Sequence, residues 1–184
     1  MLPTWEEADP AFAERRVTDR LLEQRIVHLG GHLDTAMGNR ATAQLLLLDA
    51  QGSGPIELHL SCPGSDLDAS LALADSVDLV TAAVHITVHG TLVGPAIAVL
   101  CTGQERGAHR NALLVVSLPP ASAQGTAHEL RVRAEQHERQ VAQLRDLIAR
   151  TTDRPADEVE SDLRAGRVLS ADEALDLGLL NRLI

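Results

Sequence analysis

Apolar positions along this chain switch repeatedly between a period of two and a period of three to four, the alternation expected of strands joined by helices. RIVHLG (25–30) alternates and closes on Gly30-Gly31, a short strand. In TAMGNRATAQLLLLDA (35–50), Met37, Ala41, Leu45 and Leu48 share one helical face, and Gly52-Ser53-Gly54-Pro55 ends the element. IELHLS (56–61) predicts a second strand, closed by CPGS. LDASLALADSVDLV (67–80) predicts an amphipathic helix with Leu67, Leu71, Ala74 and Val77 inward. AAVHITVHG (82–90) predicts a third strand, GPAIAVLCTG a buried helix, and ALLVVSL (112–118) a continuous apolar strand suited to burial on both faces.

Residues 128–150 form the longest helical pattern, with Leu130, Ala134, His137, Val141, Leu144 and Ile148 along one seam, a surface that predicts contact with another helix or subunit. The tail predicts a further αβ element: a helix over 155–166, a short VLS strand, and a last helix opened by Ser170 with Glu173 as its capping-box partner. Alternating strands and helices predict an α/β fold with parallel strands and crossover helices. Residues 1–17 are acidic, proline-containing and aperiodic, and read as a flexible arm before a single domain over 18–184.

Composition narrows the function classes. The 184 residues suit one domain with a sizeable core. Aromatic residues are nearly absent, with one Trp, one Phe and no Tyr, so Leu, Val, Ile and Ala must build that core and no stacking platform for bases is available. A formal charge of −10 argues against nucleic acid and anionic membrane as partners. All 16 basic residues are Arg. Two cysteines, Cys62 and Cys101, give neither a disulfide framework nor a zinc motif. With no secretory leader and no apolar run of membrane length, the expected compartment is the cytoplasm.

HGTLVGPAIAVLCTG (89–103) places a glycine-containing turn before a buried helix, the arrangement that commonly presents a nucleophile to backbone N–H groups. Here the turn offers Gly94 and Pro95. RIVHLGGHLD, ATAQLLLLDA, IELHLSCPGSDLDASLALADSV and SADEALDLGLLNRLI resemble, in order and almost without gaps, the proteolytic subunits of the Clp protease, ClpP, the S14 serine peptidases. The resemblance runs from about Arg20 to Ile184 and implies a crotonase-like superhelix of αβ units with a protruding handle helix over 128–150. It also implies assembly into a heptameric ring, with possible stacking to a tetradecamer, and no cofactor or metal.

The family's nucleophilic Ser falls on Gly94, counting without a gap from Pro63. Its His falls on Leu118, taking Pro120 as anchor, and its Asp on Gly166, taking Leu169-Ser170-Ala171. The oxyanion-turn equivalents are Gly64 and Ser65. Gly at a cap and Pro at the first helical position keep a helix start without its hydroxyl. The resemblance therefore implies a catalytically degenerate member: a structural or regulatory ring subunit, alone or with catalytic paralogues. Two alternatives stand beside it: a cleft repurposed for acyl or thioester chemistry, and a peptidase subunit active only with a catalytic paralogue. The family's Asp-Arg ring-stacking pair falls on Arg164 and Ala165, and a tyrosine of its AAA+ unfoldase pocket falls on His59, which argues against strong docking.

Other groups have plainer readings. Cys62 with His89 suggests a thiol pair, but a small buried Cys by a turn is the better expectation. His85 and His89 share a strand face without a third metal ligand and are expected to make ordinary hydrogen bonds. Asp66 or Asp68 is expected to cap a helix more readily than to hold a polar ligand with Ser65. Asp153, Asp157, Glu158, Glu160 and Asp162 are expected to line a solvated helix face.

Overall fold

A computed structural model describes residues 10–122 and 124–184. The elements, in chain order, are α1 (Pro10–Glu23), β1 (Ile26–Leu33), α2 (Thr35–Gln51), β2 (Ile56–Ser65), α3 (Leu67–Leu79), β3 (Val84–Val88) and β4 (Thr91–Val93). A single 3-10 turn (Gly94–Ala96) leads into α4 (Ile97–Thr102), β5 (Glu105–Ala108), β6 (Leu113–Val116) and α5 (Ala127–Thr152). α6 (Ala156–Ala165), β7 (Arg167–Ser170), α7 (Ala171–Asp176) and β8 (Arg182–Leu183) complete the chain.

The main sheet has five strands in the order β1-β2-β3-β5-β8, all parallel, and a second sheet orders β4-β6-β7 with β6 and β7 antiparallel. In β2 the core face carries Ile56, Leu58, Leu60 and Cys62, all fully buried, while Glu57, His59 and Ser61 point the other way and are only half-buried. The same parity sets Val84, Ile86 and Val88 of β3 into the core. α2 and α3 close over that face with Ala41, Leu45, Leu48, Leu73, Ala74 and Val77. Met37 and Leu71, expected inside, are only partly buried, and Gly38 and Ser70 take the inward places.

Local chemistry fixes the ends of the elements. Asp34 caps α2 by accepting from Met37 N at 2.8 Å. Complete capping boxes open α5 (Thr126 with Glu129) and α7 (Ser170 with Glu173), the latter as its spacing predicts. Arg25 donates to the carbonyls of Leu48, Gly52, Gly54 and Pro55, so one guanidinium ties the end of α2 to the start of β2. Asp49 accepts from Thr81 N at 3.0 Å and Ala82 N at 2.8 Å, joining α2 to the segment that leads into β3.

Several expectations need correction. The boundary drawn at residue 17 falls inside α1; residues 1–9 of the expected arm lie outside the described residues. β6 is not buried on both faces, since Leu113 is 44% exposed at its start. The long helix is divided. Leu144 and Ile148 are buried against their own chain, and Val141 packs partly on the same core. Leu130, at 37% exposure, and Ala134 remain open, with His137 partly so. No helix among the described residues is long and apolar enough to cross a membrane.

The Ala82 N–H is the main cause that holds the Asp49 carboxyl below its usual range. A group depressed in this way contributes stability above its unfolded pKa that disappears as pH falls through the folded one. Asp49→Ala should therefore lower Tm at neutral pH, and the gap from the wild type should close on acidification. Thermal melts of both proteins across the acid range check this.

Candidate active-site turn

β4 delivers the chain to the 3-10 turn at Gly94, whose φ of +64° lies in the left-handed region. A strained residue at a strand-to-helix junction is how a nucleophile elbow exposes its hydroxyl. Here the bend persists with glycine in it. A Cβ built on Gly94 would meet only Ser117 Oγ at 3.5 Å and Ser117 O at 3.7 Å, so the space for a side chain exists. Gly166, at φ +64°, caps α6 and points the same way: its Cβ would lie 4.0 Å from Ser117 Cβ.

The side chain between these two glycines is thus Ser117. Leu118, the position inferred for the imidazole, is 38% exposed and is anchored through its backbone N–H to Leu163 O at 3.0 Å. Taking Pro119 in place of Pro120 as anchor moves the inferred position one residue back, onto Ser117, and neither residue is an imidazole. No imidazole or carboxylate among the described residues is hydrogen-bonded to the Ser117 hydroxyl. The histidine bonds run elsewhere: His32 to Asp66, His85 to Glu57, His89 to His59.

The backbone donors of the turn have the following partners. In an elbow, the N–H of the residue after the nucleophile faces the developing charge. That residue is Pro95, which has no N–H. The next donor, Ala96 N–H, is taken by Ser65 Oγ at 2.9 Å, and the same hydroxyl donates to Val93 O at 2.9 Å. Ser65 is buried and clamps the end of β2 to the turn, a structural part that its place beside the glycine turn did not disclose. Gly64 lies against the His32 ring, where a Cβ would come within 2.8 Å of Nδ1.

Beside the turn lies a cleft of about 710 Å³, lined among others by Ser65, Asp66, Asp68, Pro120, Leu130 and His137; Gly94 and Pro95 are buried and not part of the lining. The open half of the α5 seam is therefore one wall of this cleft. Asp66 sits at the N-cap of α3 but does not cap it: its carboxylate bonds His32 Nε2 at 2.9 Å. Asp68 accepts from Gln140 Nε2 across the cleft, joining α3 to α5.

The thiol pair is not assembled. Cys62 is on the core face and His89 lies beyond β3, against His59 at 2.7 Å. Burial pushes both Cys62 and Cys101 up to about 11, so neither is a nucleophile at neutral pH. His85 makes an ordinary hydrogen bond of the expected kind, to Glu57 Oε1 at 3.0 Å. The acidic stretch is spread over ion pairs: Asp162 with Arg154 and Arg167, Glu158 with Arg154, and Glu160 with Arg145 and Arg164.

Two substitutions probe this turn. Ser65→Ala leaves the Ala96 N–H and Val93 C=O without their partner and should cost about 1–3 kcal/mol. Gly94→Ala meets no clash but takes a left-handed φ and should cost about 1–2 kcal/mol. Chemical denaturation of each, at unchanged m-value, measures both.

Comparison with known proteins agrees with this architecture. The Clp protease family profile matches residues 11–184. The chain is 32% identical over 171 residues to "ATP-dependent Clp protease proteolytic subunit 3" of Rhodococcus jostii, covering 91% of this chain and 85% of that one. It is 30% identical over 175 residues to "ATP-dependent Clp protease proteolytic subunit 1" of Nocardia farcinica, covering 92% and 89%. With the wound α/β architecture and a match over nearly the whole length, this chain belongs to the Clp protease family.

Proposed function

We propose that this protein is a non-catalytic Clp protease subunit, structural or regulatory, which keeps the fold and the capacity to self-associate while hydrolysing nothing by itself. The observation that carries this reading is the convergence of Gly94, Ser117 and Gly166, with Pro95 supplying no N–H where an oxyanion would need one. Serine hydrolysis needs a hydroxyl within reach of a base and a third polar group to hold that base. Loss of one triad member costs on the order of 10⁴ to 10⁶ in turnover, and the three positions act as a unit.

A second reading is favoured by the relatives, whose names number them as subunits 3 and 1. In that reading the chain joins catalytic paralogues in a mixed ring, heptameric or stacked to fourteen, and contributes shape while the paralogue contributes chemistry. The open, partly apolar Leu130 and Ala134 end of α5 is available for such assembly, whereas Leu144 and Ile148 are already committed. The position of a docking tyrosine is held by His59 in a polar group of histidines, which supports weak or absent unfoldase docking.

The purified chain is expected to cleave no fluorogenic peptide and to take no label from a fluorophosphonate probe; labelling mapped to any residue overturns the proposal. Gly94→Ser alone should remain unlabelled, because no base stands beside it. Native mass with and without a co-expressed catalytic paralogue separates the self-assembled from the mixed ring.

A further inference from the structure

The side of the main sheet turned away from the core carries four of the chain's eight histidines in one group. His28 of β1 and His59 of β2 are direct cross-strand partners. His59 is level with Thr87 of β3, and His89 follows two residues on, hence on the same face. Thr87 is level with Gly107 of β5, and His109 again follows two residues on. Four neighbouring strands thus each contribute one imidazole. The ring centroids of His59 and His89 are 4.8 Å apart, those of His89 and His109 4.6 Å. His59 Nδ1 and His89 Nε2 approach to 2.7 Å.

We propose that this histidine group binds a borderline divalent transition-metal ion, of the Zn²⁺, Ni²⁺ or Cu²⁺ class, with His59 and His89 as its first two ligands and His109 or His28 completing the set. All donors are imidazole nitrogens, which selects against Mg²⁺ and Ca²⁺ and suits these ions. Two nitrogens bound at 2.0–2.1 Å in tetrahedral geometry stand roughly 3.3 Å apart, so the His59–His89 pair needs to open by roughly half an ångström.

Among the described residues no three such groups already converge on one point, because the rings are stacked. The third ligand therefore arrives by side-chain rotation, which is open to His28 and His109 because both are exposed. No proton need leave the protein: the one shared between His59 and His89 moves to the ring's other nitrogen as the ion takes both lone pairs. On the same face Glu57 bonds His85 and Glu105 bonds Arg182, and the Glu57 charge also acts on His59, which favours a bound cation. The overall charge of −10 favours a cation.

The test uses the full chain without a histidine tag, stripped with EDTA, dialysed to equilibrium against Zn²⁺ and, separately, Ni²⁺, with retained metal counted by mass spectrometry. About one ion per chain is expected. The double variant His59→Gln/His89→Gln should bind at least about 10-fold more weakly, and His85→Gln should bind as the wild type does. Retention no greater than in the double variant, or lost equally in His85→Gln, overturns the proposal. Should the double variant fail to fold by circular dichroism, the exposed pair His28→Gln/His109→Gln replaces it. Co²⁺ loaded into the wild type then gives an independent reading: visible absorption of a nitrogen-ligated ion supports the site, and its absence refutes it.

Discussion

A parallel sheet that commits one face to the core constrains everything else in this molecule. Because strand side chains alternate, the choice of Ile56, Leu58 and Leu60 for the helical side forces Glu57, His59 and Ser61 outward, and the pairing carries that parity into β3 and β5. Parallel sheets are usually covered on both faces. This one keeps imidazoles and ion pairs on its second face, while an almost wholly aliphatic core, rich in Leu, Val, Ile and Ala, fills the first. The turn and cleft then follow from where the strands end: β2 finishes at Ser65, β4 at Val93, and the Ser65 hydroxyl joins the two.

That join holds the shape of the turn through backbone geometry. The positive φ at Gly94, the helix start at Pro95 and the left-handed cap at Gly166 are backbone features, and each is satisfied by a residue with no side-chain chemistry to offer. The groups around them serve cohesion. Ser65 occupies a donor that an oxyanion would have used, Asp66 holds His32, and Gln140 reaches Asp68 across the cleft.

Much of this was legible in the sequence where local and tertiary preferences agree. β1, β2 and β3 alternate cleanly, and the Ser170-Glu173 spacing marked a capping box that the structure contains. β5 was not legible: Glu-Arg-Gly-Ala has no strand pattern, and it is extended because β3 and β8 pair with it from either side. Ser117 stands next to the Leu118 position that Pro120 gives as anchor, and the packing against Gly94 and Gly166 becomes visible only in three dimensions. The histidine group was missed for a like reason, since its members come from four strands and meet only when the register is known. A signal did exist, because His28, His59 and His85 all fall on positions of opposite parity to their strands' apolar core residues, and His89 continues that parity one residue past β3.

On the proposed non-catalytic reading, the left-handed bend at Gly94 gives the loss of a nucleophile a direction. Any L-residue there must be held against its own preference, and glycine releases that tension while the Ser65 clamp keeps the bend in place. Trading the hydroxyl away is therefore downhill for the folded state, and regaining it is uphill even before a base and an acid are rebuilt. Such a fold behaves as a ratchet: once emptied, it is more comfortable remaining so, free to be selected for what it assembles with.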